Sequence, residues 1–132
     1  MSDCIFCKIN AWQIPAAKIR ENDEFVAILD AFPAYKGQAL VMPKTHIWSD
    51  ISLMPDDQYT RLLLATKEVI AVMKKWLWVE RIWIVVEGLQ VDHAHIKLYP
   101  FRNGKSFEAG FVGSEMAKWE DLQKVAEEIK NV

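Results

Sequence analysis

One stretch of the chain, Val91-Asp92-His93-Ala94-His95-Ile96-Lys97-Leu98-Tyr99-Pro100, concentrates groups that do chemistry. The two-residue period of a β-strand places His93, His95, Lys97 and Tyr99 on one face and Ala94, Ile96 and Leu98 on the other. Two imidazoles and an ammonium then converge, a set suited to an anionic substrate such as a phosphate. The plainer alternative is a half-exposed strand whose polar residues meet water. Against it, two of only three histidines in the chain lie here, with a cation at the next position on the same face. Cys4-x-x-Cys7 has the spacing of a metal or redox pair, although two small buried hydrophobes would look the same. His46, after Pro43-Lys44-Thr45, completes the soft ligands: Cys4, Cys7, His46, His93 and His95. A closed zinc site takes four of these, two cysteines and two histidines, and spacing alone leaves open which histidine stays free.

The elements that must carry these groups follow from apolar periodicity and from proline and glycine punctuation. Phe25–Asp30 reads as a buried strand, and Gly37–Met42 as its neighbour, stopped by Pro43. Pro55-Asp56-Asp57 opens a helix, with carboxylates at the positive end of its dipole. Tyr59, Leu62, Leu63, Thr66, Val69, Ile70 and Met73 form its apolar stripe, and Lys74-Lys75 close it. Strands are expected at Arg81–Glu87 and Ala94–Tyr99, the latter ended by Pro100. A last helix, capped at Ser114 or a neighbour, runs through Lys130 on the stripe Met116, Trp119, Leu122, Val125, Ala126 and Ile129. Strands in neighbouring pairs with helices set apart predict an antiparallel α+β fold.

Composition narrows the function classes. The 132 residues, 52% of them hydrophobic, suffice for one domain with a core, residues 1–132, and no linker or repeat divides them. Sixteen basic against eighteen acidic residues give a net charge of −2, so nothing in the balance suggests an electrostatic grip on bulk nucleic acid or on an anionic membrane. No run approaches the roughly eighteen apolar residues of a membrane span, and the first residues lack a signal-peptide pattern, so the expected location is the cytoplasm. In that reducing setting Cys4 and Cys7 are expected as metal ligands or redox groups more than as a structural disulfide.

Several motifs in order resemble the histidine triad, or HIT, superfamily of nucleotide hydrolases and transferases. They are Cys4-Ile-Phe-Cys-Lys-Ile9, Ile14-Pro15-Ala16, Phe25-x-Ala27-x-Leu29-Asp30, Gly37-x-x-Leu40-Val41-x-Pro43-Lys44-x-His46 and His93-Ala-His-Ile-Lys-Leu-Tyr-Pro100. The resemblance implies a five-stranded antiparallel sheet with two main helices. It implies that His95 is the nucleophile, attacking a nucleotide α-phosphate to give a nucleotidyl-histidine intermediate. It also implies that His46 and His93 join Cys4 and Cys7 around a structural zinc, and that Asp30 holds the ribose hydroxyls. Phe6, Ile9, Ile14 and Leu29 then wall the base pocket, where ordinary core is the competing reading. The implied partner is a purine nucleotide or nucleotide conjugate: an adenosine phosphoramidate, a nucleoside phosphate ester or a dinucleoside polyphosphate.

The chain departs from the family pattern in three places. The third triad position is Lys97 where most members carry histidine, and an ammonium there binds a phosphate oxygen as a point charge. The loop Glu87–Asp92 is short, with Glu87 where many members carry asparagine and Gln90 where a serine or threonine touches the phosphate. A carboxylate near an anionic leaving group repels it. Three of the six tryptophans, Trp76, Trp78 and Trp83, fall within eight residues. These fit an interface core in a homodimer formed through the main helix and the strand 81–87. The rival expectation is a protein without turnover, either a nucleotide-binding module or an assembly scaffold, natural or redesigned, with a Trp-rich dimer surface.

Overall fold

The computed structural model describes residues 3–101 and 115–132. The main helix α2, Asp56–Leu77, carries Asp56 and Asp57 in its first turn and Lys74 and Lys75 in its last, as the dipole favours. Its buried residues Leu62, Thr66, Val69, Met73 and Leu77 recur every three or four positions, and Thr66 returns its hydroxyl proton to the Leu62 carbonyl. Tyr59, expected on that stripe, is exposed.

The strands are β1 (Lys18–Glu21), β2 (Phe25–Leu29), β3 (Ala39–Pro43), β4 (Arg81–Val85) and β5 (Ile96–Phe101). They form one antiparallel sheet in the order β1-β2-β3-β5-β4. Alternation sorts its two faces. Phe25, Ala27, Leu29, Ala39, Val41, Ile96 and Leu98 join the core under α2 and the C-terminal helix α3, Trp119–Lys130. Val26, Ile28, Leu40 and Met42 face the other way, against Phe6 and Ile9 of a short helix α1, Ile5–Asn10. The second face is where His95 and Lys97 lie, because Leu40 pairs with Lys97 in the register of β3 and β5. Cover on both faces explains why His93 to Pro100 are all buried and why a half-exposed strand is not formed.

Several boundaries differ from the sequence expectations. Pro43 is the last residue of β3, and Pro100 is the penultimate residue of β5. Each sits beyond the stretch where β3 and β5 pair, so the missing N–H falls on a side with no ladder partner. His93, Ala94 and His95 precede β5 instead of belonging to it. The last helix starts at Trp119, after an extended segment in which the Ala117 N–H donates to the Ala31 carbonyl. Ser114, the expected cap, lies outside the described residues. Neither α1 nor β1 was legible from periodicity, since α1 spans less than two helical turns and β1 only four residues.

The tryptophan cluster is divided by the fold. Trp76 packs partly against the core, while Trp78 is 93% exposed in a left-handed conformation at the end of α2. Trp83 stacks on Phe101 with ring centres 5.1 Å apart and, like Ile84, stays exposed on β4, an edge strand of the sheet.

Candidate functional site

Cys4 caps α1: its Sγ accepts the Cys7 N–H at 3.4 Å, so the turn that starts the helix brings the two sulfurs together. His46 follows β3 and His93 precedes β5, and the pairing of those strands delivers both imidazoles beneath α1. Cys4 Sγ lies 3.3 Å from His93 Nδ1, and Cys7 Sγ lies 3.4 Å from His46 Nδ1 and 3.6 Å from His93 Nδ1. All four ligand atoms fall within 4.8 Å of one another. Tetrahedral zinc, with bonds of about 2.3 Å to sulfur and 2.0 Å to nitrogen, separates such atoms by about 3.5 Å. The cluster therefore fits zinc, and both cysteines are free thiols available to it.

The tautomers agree. His93 Nε2 lies 2.8 Å from the Pro43 carbonyl, which can only accept, so Nε2 carries the proton and Nδ1 presents its lone pair to the sulfurs. Burial, then the hydrogen bond and charge of Cys4, push the Cys7 thiol up from its usual value. A bound cation reverses that tendency by favouring thiolate.

His95 is the histidine left outside the cluster. Its Nδ1 sits 2.7 Å from the His93 carbonyl oxygen and must donate, which leaves Nε2 with the lone pair. Phe6 meets the ring edge-on at 5.1 Å and meets His93 at 5.6 Å. Burial lowers the pKa of His95 and outweighs the hydrogen bond to His93, so the ring is neutral near pH 7.

His95 and Lys97 open into a cleft of about 660 Å³ between α1, the sheet and the start of α3. Every other residue that the sequence associates with nucleotide binding lines the same cleft: Phe6, Ile9, Ile14, Leu29, Asp30 and Gln90. Its mostly apolar walls with a few polar groups at one end have the make-up of a small-molecule site. Trp119, Leu122 and Met116, assigned from sequence only to a helix stripe, also line it, as does Phe32. Tyr99 shares the strand face but not the cleft. Burial first, then the charges of Asp30 and Glu87, push its hydroxyl up to about 12.

The departures from the family pattern sit together. Lys97, 8% exposed, places Nζ 3.4 Å from Glu87 Oε1, while Glu87 Oε2 accepts the Leu89 N–H at 2.7 Å. Burial raises the Glu87 pKa, but the Leu89 N–H and the Lys97 charge outweigh it and hold the carboxyl below its ordinary value. The short loop is pinned by Ser49, whose hydroxyl lies 2.6 Å from the Gly88 carbonyl oxygen and whose N–H donates to Asp92 Oδ1 at 3.0 Å. Gly88 has φ +64, and a β-carbon there would come within 2.9 Å of Ser49.

A sequence profile of the HIT domain matches residues 11–104. An uncharacterized HIT-like protein of Methanocaldococcus jannaschii is 36% identical over 132 residues, covering 96% of this chain and 98% of that protein. The adenosine 5′-monophosphoramidase of Saccharomyces cerevisiae is 35% identical over 104 residues, 78% of this chain and 65% of that enzyme. Among solved structures, a zinc-bound histidine triad family protein from Mycobacterium smegmatis superposes with a TM-score of 0.80 at 25% identity, covering 98% of this chain and 92% of that one. With the motifs, the sheet and the histidine arrangement in agreement, the chain belongs to the HIT family.

Proposed function

We propose that the 132 residues form one HIT domain that acts as a nucleotide hydrolase or nucleotidyl transferase at an α-phosphate. The observation that carries this reading is the Nδ1–H of His95 on the His93 carbonyl at 2.7 Å, in a ring that lines the cleft beside Asp30. That bond fixes the tautomer, directs the Nε2 lone pair as nucleophile and stabilises the positive charge the ring acquires as it bonds phosphorus. The Nε2–P bond forms as the bond from phosphorus to the leaving group breaks, and the leaving group departs with the electron pair and takes up a proton. Water or another acceptor then attacks phosphorus and gives up a proton to solvent, the P–N bond breaks with its electron pair returning to Nε2, and neutral His95 is restored. Lys97 contacts a phosphate oxygen, Asp30 accepts from the ribose hydroxyls, and Gln90 borders the phosphate. Phe6, Ile9, Ile14 and Leu29 hold the base.

Cys4, Cys7, His46 and His93 would hold zinc, which would serve a structural role by tying α1, and so Phe6, to the segment that presents His95. Ligation by free thiols suits a cytoplasmic protein. For self-association, the exposed Trp83 and Ile84 on edge strand β4 support a homodimer that extends the sheet, with α2 alongside. Mass measurement in solution at micromolar concentration is expected to give a dimer, and a monomer would refute it.

The test of activity is incubation with an adenosine phosphoramidate, reading AMP release, alongside His95→Ala. Release by the parent and none by the variant is the expected result. One observation favours a second reading, a nucleotide-binding module without turnover: Glu87 already engages the cation at the third triad position. Binding with no release by either protein supports the module, and release by His95→Ala at the parent rate removes His95 from the chemistry.

A further inference from the structure

Gln38 is 1% exposed, and its whole side chain is committed to one neighbour, the loop that follows β2. A turn closed by the Gln38 N–H on the Tyr35 carbonyl at 3.0 Å, with Gly37 at φ +85, aims it inward. The Ala34 N–H donates to Gln38 Oε1 at 2.8 Å, which fixes the amide, because a backbone N–H can meet only its oxygen. The amide NH2 is thereby pointed at Asp30 and donates to Oδ2 at 2.7 Å. On the other oxygen, Oδ1 accepts the Phe32 N–H at 2.9 Å. Each carboxylate oxygen of Asp30 is thus held by one internal donor and keeps lone-pair capacity for one external donor, on a residue that lines the cleft. Two acceptors side by side on a rigid carboxylate match two adjacent hydroxyls.

We infer that Gln38 is a positioning residue that orients the Asp30 carboxylate for a vicinal diol, making the site selective for ribonucleotides over nucleotides lacking the 2′ and 3′ hydroxyls. This rests on the nucleotide reading above. Preorganisation is the mechanism: a carboxylate already locked in rotation gives up little freedom when the diol arrives.

The experiment is calorimetric binding of AMP and of 2′,3′-dideoxy-AMP to the full chain and to Gln38→Met, which keeps the shape and removes the donor, with Asp30→Ala for reference. The parent is expected to prefer AMP by about tenfold or more, the scale of hydrogen bonds to a charged acceptor. Asp30→Ala should lose the preference, and Gln38→Met should reduce it to within about threefold while dideoxy-AMP binds as in the parent. If Gln38→Met fails to fold, Gln38→Leu serves instead, which likewise removes the donor to Asp30 without adding a charge. An unchanged preference in the variant overturns the inference, and so does equal weakening of both nucleotides, which marks Gln38 as merely structural. A parent that binds neither nucleotide overturns the nucleotide reading itself.

Discussion

Replacing Glu87 by Gln tests what the lysine at the third triad position does. Glutamine keeps an oxygen for the Leu89 N–H, which Glu87 Oε2 now accepts at 2.7 Å, and puts a neutral NH2 in place of the charged oxygen facing Lys97 at 3.4 Å. Two unit charges at that distance attract by about 1.2 kcal/mol in water and about 5 kcal/mol at an effective dielectric of 20. The Lys97 and Glu87 side chains are 10% and 28% exposed, so the pair lies between these limits, and loss of the competing hydration returns part of the difference. About 1–2 kcal/mol of attraction then becomes available to a phosphate, which is ~5- to 30-fold in affinity. AMP is therefore expected to bind Glu87→Gln tighter than the parent by that factor, measured by calorimetry at fixed ionic strength. The gain should vanish in a Lys97→Met background, because the charge released has nowhere to act. Unchanged or weaker AMP binding in Glu87→Gln, or an equal gain without Lys97, refutes the reasoning.

The parent is expected to hold one zinc per chain by metal analysis and Cys7→Ser well under one, with Tm lowered by roughly 5–10 °C, about 2 kcal/mol, because α1 loses its tie to His93; full zinc content in the variant would remove Cys7 from the ligand set. Alkali gives a separate check through Tyr99. Its folded pKa, about 12, lies above the unfolded value near 10, so its contribution is complete below pH 10 and is lost as pH rises toward 12. Tyr99→Phe should flatten that part of the stability profile in chemical denaturation, by up to about 2 kcal/mol, and an unchanged slope would show that other groups carry it.

The sequence by itself determined the groups and their local grammar. The α2 stripe, its acidic start and basic end, and the two-residue alternation from His93 to Tyr99 are properties of covalent order, and they predicted α2, β2 and the sorting of His95 and Lys97 from Ile96 and Leu98. The soft ligands were legible too; their spacing alone left open which histidine stays out of the cluster, the resemblance to the HIT family implied His95, and the ends of β3 and β5 with α1 across them bring Cys4, Cys7, His46 and His93 together. Tertiary structure alone decided the rest. Proline at the end of β3 and near the end of β5 is tolerated because the pairing of these two strands has already ended there, a fact about neighbouring strands. Gln38 reads in sequence as an unremarkable polar residue after a glycine; its bond to Asp30 exists because the turn at Gly37 folds it back under β2. Trp119 and Phe32 reach the cleft by packing across distances that no local periodicity encodes. Residue types and short spacings specify which atoms can react, whereas the strain-free pairing of distant segments decides which of those atoms meet.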